Sequence, residues 1–342
     1  MAYISFQPSD YFNTVAWTGT ASSPLNVTGY GFQPDWVWNK YRAGAGDHQV
    51  YDSVRTATKM IIPNSSNAES TNANGVTTFI TDGFTAGSDI NVNGGTSVAW
   101  GWKAGTTSGI TTNGSTVVTP SAYSFNQTSG FSVVKYTGNG NTTTKVAHGL
   151  GAVPKMLIIK NLGTTDNWTV YHVGVGNDTA LKLDSNGATS GGSDRFYDTT
   201  PDSVNFTLGN HASVNASGNN YVAYCFAAIN GFSSFGKYIG NGSSHGAFIH
   251  TGFKPGFVIF KRTDGTESWL MQDSRRPGYN PIGGNLFPNA NNAESTDARF
   301  DFVSNGFKAR STNQNTSAAT HIYMAFAEHP FVASNGDPAN AG

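Results

Sequence analysis

Four acids, Asp52, Glu69, Asp273 and Glu294, are the side chains of this sequence best placed to do chemistry. Hydrolysis of a glycosidic bond needs two carboxyl groups flanking the scissile linkage, one to protonate the leaving oxygen and one to attack or to activate water. Such a pair meets only in the fold, so distance along the chain does not exclude it. All four acids, however, lie in segments that occur twice. Asn67-Ala68-Glu69-Ser70-Thr71 returns as Asn292-Ala293-Glu294-Ser295-Thr296, and Asp52-Ser53-Val54-Arg55 as Asp273-Ser274-Arg275-Arg276. A residue repeated in two copies of a scaffold serves the scaffold more often than a reaction. The expectation is a turn in which each Asp caps backbone amides and the arginine pairs with a nearby carboxylate; a polar recognition patch is the alternative.

No nucleophile elbow, phosphate-cradling glycine loop or His-Glu-x-x-His pair is present. Eight histidines are scattered, and only His245 and His250 lie near each other, so neither a metal site nor a cofactor is expected. The chain therefore reads as a structural or binding component and not an enzyme. Tryptophan can stack on sugar rings, but Trp36, Trp38, Trp100 and Trp102 occupy apolar strand positions and read as core. Trp17, Trp168 and Trp269 lie nearer loops and are the candidate exposed binding contacts. The lone Cys225 excludes an intrachain disulfide and reads as a buried, inert thiol.

The elements that position these residues recur three times. Runs starting at Pro34, Pro154 and Pro255 share a proline, an apolar stretch and a lysine, Lys40, Lys160 or Lys261, six residues on. Unbroken apolar runs mark strands covered on both faces, and the proline fits at the start, where no ladder donor is lost. Each unit closes on a second strand: Val98 to Trp102, Val222 to Phe226 and Ile322 to Phe326. Alternation puts Val98, Trp100 and Trp102 on one face, as it does Val222, Tyr224 and Phe226, and Ile322, Met324 and Phe326, with mostly small residues behind them. Asp82-Gly83 and Asn305-Gly306, between apolar runs, predict hairpins with type I′ turns in the first and third units. The stretch from Gly105 to Ala122 reads as a linker, and the tail after Phe331 has no periodicity.

The prediction is an all-β chain of three tandem, diverged β-sandwich-like units, 1–110, 111–229 and 230–342, with the linker 105–122 at the start of the second. A single closed barrel or propeller is the alternative, which contacts between the first and third units would favour. Of the 342 residues 12% are charged, against roughly 25% in ordinary soluble domains, and the net charge is −1. That balance supplies no basic stripe for nucleic acid. No run of 18 apolar residues occurs, so no membrane insertion is expected. Met1 to Pro8 lacks the marks of a secretory signal, so synthesis and folding in a cytosol are expected.

Tyr51 to Lys59, the two Asn-Ala-Glu-Ser-Thr segments, Trp100-Gly101-Trp102-Lys103-Ala104-Gly105 and the closing Ala325-Phe326-Ala327-Glu328 resemble poorly characterised structural proteins of tailed-phage virions, especially tail-fibre-like proteins of marine bacteriophages. The resemblance covers the first and third units well and the second weakly. It implies a place on a virus particle, with other virion proteins as partners and host glycan or an outer-membrane protein as a possible receptor. It carries over no catalytic or binding residue. The leading reading is a tail-fibre or receptor-binding component; a capsid decoration or connector protein is its rival, and a polysaccharide-degrading tailspike the alternative of another class. The small-residue strand faces and the few charges leave apolar surface and strand edges to cover, which predicts a homo-oligomer, first of all a trimer. Three units forming a pseudo-trimer within one chain would compete with that arrangement.

Overall fold

A strand covered on both faces needs two partners, and in this chain the two differ in kind. The structure is a computed structural model that describes residues 5–276 and 279–330. It is nearly all β, with Ser193–Phe196 and Ala212–Asn215 as its short α-helices among the described residues. The tail from Val332 to Gly342 lies outside them.

One antiparallel strand order occurs in three sheets. In the first, the opening strand Phe12–Thr18 pairs with the closing strand Thr96–Trp102, which pairs with the proline-led strand Trp36–Tyr41, which pairs with His48–Asp52. The second sheet contains Phe131–Thr137, Asn220–Ala227, Pro154–Asn161 and Thr169–His172 in the same order. The third repeats it with Ser233–Ile239, Thr320–Pro330, Phe253–Arg262 and Leu270–Asp273. Registers also correspond: Trp36 lies opposite Trp102, Met156 opposite Phe226, and Phe257 opposite Phe326. The second sheet is longer, gaining Ala122–Asn126 beside its opening strand. The linker is tied to that unit by bridges from Thr106 to Phe125 and from Val118 to Val146.

The large-residue faces of all three sheets meet one another. Trp36, Trp100 and Trp102, Tyr224 and Phe226, and Phe257, Met324 and Phe326 belong to one buried cluster. At its centre the last large residues of the closing strands form a triangle, with ring centroids 5.7 Å apart for Trp102 and Phe326, 6.1 Å for Phe226 and Phe326, and 6.5 Å for Trp102 and Phe226. Phe12 stacks on Phe326 at 5.1 Å, joining the first sheet to the third. The sheets therefore close around a pseudo-threefold axis.

Each small-residue face packs on a second, smaller sheet of its own segment. Behind the first lie Leu25–Thr28, Gly83–Ala86 and Val76–Ile80; behind the second, Thr144–Ala147 and Asn205–Leu208; behind the third, Phe248–His250, Gly306–Ala309 and Phe300–Val303. Separate apolar clusters fill these three sandwich interiors. The small-residue faces are thus covered within the chain, each by its own outer sheet.

The two expected hairpins form, but not as type I′ turns. Ile80 pairs with Gly83 and Val303 with Gly306, so Thr81-Asp82 and Ser304-Asn305 are central, and none of these four takes a positive φ. Gly83 itself takes a φ of +142°, and close approach constrains both glycines. A Cβ on Gly83 would stand 2.1 Å from the Val27 carbonyl oxygen, and one on Gly306 2.0 Å from that of Ile249. The Asp82 carboxylate meanwhile accepts from Gly29 N at 3.0 Å and Gly31 N at 2.6 Å.

Gly101 tests the second layer, because a Cβ there would lie 2.4 Å from Tyr30 Cε1. Gly101→Ala should cost roughly 1–3 kcal/mol through overpacking. Gly114→Ala, where a Cβ meets nothing within 4 Å, should stay within about 0.5 kcal/mol. Urea denaturation of both variants measures the difference; equal stabilities would contradict this packing.

Candidate functional site

The four candidate acids sit at the seams between sheets, each held by arginine. Asp52 Oδ1 accepts from Arg55 N at 2.8 Å and its Oδ2 from Arg55 Nε at 2.6 Å, while Arg55 Nη1 reaches Glu69 Oε2 at 3.0 Å. In the third sheet Asp273 Oδ2 accepts from Arg276 Nε at 2.7 Å, and Arg276 Nη1 bonds Glu294. Asp273 Oδ1 caps the amides of Arg275 and Arg276. The expected turn, with Asp capping and Arg pairing, is therefore present twice. An arginine stands between the two carboxylates in each copy, unlike two acids facing each other across a substrate. Burial alone would raise the Glu294 carboxyl, but hydrogen bonds and charge from Arg42 and Arg276 outweigh it and hold the group below the usual range. That favours a permanent anion over a proton donor.

Each of the two aspartates is also bonded by a neighbouring sheet. Tyr224 OH donates to Asp52 Oδ2 at 2.7 Å and Trp100 Nε1 to Asp273 Oδ2 at 2.9 Å. The register puts His172 at the corresponding place in the second sheet, opposite Met156 as Asp52 is opposite Trp36. Its Nδ1 accepts from Gly174 N at 2.9 Å, which makes Nε2 the donor to Tyr323 O, 3.0 Å away on the third sheet. The second sheet thus donates to the first, the first to the third, and the second's histidine reaches the third, so the ring closes.

The repeated lysines have the same cyclic logic. Lys40, Lys160 and Lys261 are fully buried. Their ammonium groups donate across the seams to Asn291 O at 3.4 Å, Ser66 O at 3.0 Å and Asn186 O at 3.3 Å. Burial pulls each of them down to about 8.

Trp168 and Trp269, read as exposed contacts, are instead 0% and 1% exposed. Each precedes a short partner strand and donates its indole N–H across a seam, Trp168 to Ile62 O at 3.0 Å and Trp269 to Lys182 O at 2.9 Å. His48 holds the corresponding place in the first sheet. Its Nδ1 accepts from Trp38 Nε1 at 2.9 Å, leaving Nε2 to donate to Phe287 O at 3.0 Å. Sequence reasoning missed His48 and His172; the signal was their alignment with Trp168 and Trp269, and with Asp52 and Asp273, counted from the proline of each unit. Trp17 is half-buried on the opening strand, edge-on to Phe84 at 5.9 Å. Cys225 is buried, and burial pushes its thiol up to about 12. Among the described residues no group of three His, Cys, Asp or Glu is placed to hold a metal ion. No helix of the described residues is long and apolar enough to cross a membrane.

These features define a class: an all-β protein in which three sandwich-like layers close around one aromatic core, with buried Asp, Arg, Lys and ring N–H groups bonding across the seams. The chain belongs to the family described as domain of unknown function DUF7483, whose model matches residues 7–330. No curated protein matches it in sequence.

His48 and His172 make the seams sensitive to acid. Burial lowers His172 from 6.5 to about 4 and His48 well below 6.5, the charge of Lys40 adding to the shift at His48. Well above pH 6.5 both rings are neutral, folded or unfolded. As pH falls from about 6.5 towards 4 the unfolded chain takes up protons that the folded chain resists, so stability declines across that interval. Urea midpoints measured from pH 7 to 4 should fall, and those of His172→Asn should fall less steeply; parallel slopes would contradict the role given to His172.

Proposed function

We propose that this protein is a non-enzymatic structural component of a phage virion surface, a tail-fibre or receptor-binding component that works through contact. The observation that carries this reading is the commitment of Asp52, Glu69, Asp273 and Glu294 to arginine-bridged seams. The acids best suited to a polysaccharide-degrading tailspike are thereby tied to holding sheets together. The sequence resemblance supplies the virion setting. Loops at the ends of the sandwiches are the contact regions, presented in three similar directions around one axis, and such repetition multiplies weak affinities when a receptor is dense.

A second reading, a capsid decoration or connector protein, draws on the pseudo-threefold closure. A single chain with three similar faces can seat on a threefold position of a particle without first forming a trimer. Its partners in either reading are other virion proteins, and in the first also a host glycan or outer-membrane protein.

Antibody-labelled particles viewed by electron microscopy test both readings. Label at the tail, together with binding of the purified protein to host cells and no cleavage of envelope glycan, is the expected result. Label confined to the capsid lattice would replace the first reading with the second. Absence from particles, or release of glycan fragments, would overturn the proposal.

A further inference from the structure

The opening strands differ in what lies at their outer edge. Phe131–Thr137 is covered by Ala122–Asn126, which pairs with it antiparallel and puts Ser124 opposite Val133. Phe12–Thr18 and Ser233–Ile239 are the outermost strands of their sheets. The added strand is also fastened across a seam. Ser124 Oγ accepts from Gly105 N at 2.8 Å and donates to Asp35 Oδ1 at 2.9 Å, and Ser53 Oγ donates to the same oxygen at 2.6 Å.

Among the described residues, the seam between the third and first sheets holds the corresponding place without an added strand. Gly256 stands where Asp35 does, directly after the proline, and Ser274 where Ser53 does. Ser53 N bonds Asp35 O at 2.8 Å, and Ser274 N bonds Gly256 O at 3.0 Å. Glycine supplies no carboxylate, and the buried Ser274 Oγ makes no hydrogen bond among the described residues. Beside it is a cavity of about 230 Å³ lined by Phe12, Thr14, Gly256, Ser274, Arg275 and Glu328. Arg275 is exposed at its rim and makes no ion pair among the described residues. The registers equate Thr14 with Val133, since Phe12 lies opposite Trp102 and Phe131 opposite Phe226. A strand added to this edge would therefore set the residue opposite Thr14 over the cavity, as Ser124 is set over Asp35. The Thr14 amide is held by the side chain of its neighbour Asn13, at 3.0 Å from Oδ1, a bond that an incoming backbone carbonyl would replace.

The edges also differ in protection. Native sheets blunt open edges with charge, especially lysine, or with proline. Ser233–Ile239 carries the exposed Lys237, whereas Phe12–Thr18 reads Phe-Asn-Thr-Val-Ala-Trp-Thr and carries neither.

We propose that the edge Phe12–Thr18 is a docking site for an extended strand of a partner protein, with an aspartate or glutamate of that strand opposite Thr14. The backbone ladder supplies affinity, as in other cases of strand addition. The carboxylate gives Ser274 Oγ the acceptor that Asp35 gives Ser53, and places an anion beside Arg275, the Glu328 carboxylate of the same cavity being paired with Lys254 at 3.4 Å. This inference rests on the seam geometry and is independent of the virion reading.

The probe is the capped peptide Ser-Ala-Tyr-Asp-Phe-Asn-Gln, the chain's own 121–127 with aspartate in place of Ser124, titrated into the full chain. Saturable binding is expected, with slowed hydrogen exchange in residues 12–18 and none of it in 233–239. Arg275→Glu, with its fold verified by circular dichroism, should weaken binding at least tenfold, as should lysine at the aspartate position of the peptide. No binding at millimolar peptide, protection at 233–239 instead, or indifference to Arg275→Glu would overturn the proposal. Binding that appears only after residues 331–342 are removed would overturn it as well, by assigning the edge to the chain's own end.

Discussion

Three rings, Trp102, Phe226 and Phe326, meet on one axis, and the rest of the molecule is arranged to permit that contact. Each ring ends the large-residue face of a closing strand, and each closing strand is hydrogen-bonded on both sides, to an opening strand and to a proline-led strand. Bringing the rings within 5.7–6.5 Å turns three sheet faces towards one interior. Aromatic rings bury large areas, roughly 150–250 Å² each, and offset or edge-on contacts add to the gain. The indole N–H groups of Trp36 and Trp102 make no hydrogen bond among the described residues, so shape has been favoured over polar satisfaction at the centre. The other face of each sheet then needs a second cover. Small residues such as Ala99, Gly101, Ala223 and Ala325 let the outer sheets approach closely, giving each third of the chain its own sandwich interior.

Closing a ring of sheets leaves polar groups at the seams that water no longer reaches, and each must find a partner inside. The chain answers the same demand three times with different side chains. A ring N–H directed at a backbone carbonyl of the neighbouring unit comes from Trp168, from Trp269 and from neutral His48. An ammonium directed at the next loop comes from Lys40, Lys160 and Lys261. Where the first and third sheets use an Asp–Arg–Glu chain, the second uses the neutral His172 and avoids burying charge. Buried ion pairs add little net stability once desolvation is counted, but losing one member leaves an isolated buried charge. Such seams therefore fix the angle between sheets more than they strengthen them.

Much of the fold was legible before the structure. Proline-led apolar runs and the large-small alternation of the closing strands report period-2 burial on two faces, and that pattern survives divergence because each substitution conserves size on its own face. The pairing of Asp52 with Arg55, and of Asp273 with Arg276, was legible for a similar reason, since it is local. The partner of each large face was not. A strand pattern says which side is buried and leaves open what buries it, so the shared core could not be told from three separate ones. Trp168 and Trp269 were misread for the same reason: they stand at strand ends, near loops, and only closure of the ring covers them. Nor do the seam bonds have a spacing to detect, since Trp100 and Asp273, or Lys40 and Asn291, are joined by tertiary position alone. The glycine of each Asp-Gly or Asn-Gly pair was legible as a constraint but assigned to a type I′ turn, when what the two share is the close approach of a neighbouring strand.

A shared core also makes a thermodynamic claim. If the three large faces form one interior, no third of the chain can unfold without exposing the large faces of the other two, and the molecule should melt as one unit despite its length. Differential scanning calorimetry at neutral pH under reversible conditions measures this directly. The account predicts a single transition whose calorimetric enthalpy equals its van't Hoff enthalpy. Two or three resolved transitions, or a calorimetric enthalpy two to three times the van't Hoff value, would mean that the sheets fold around separate cores.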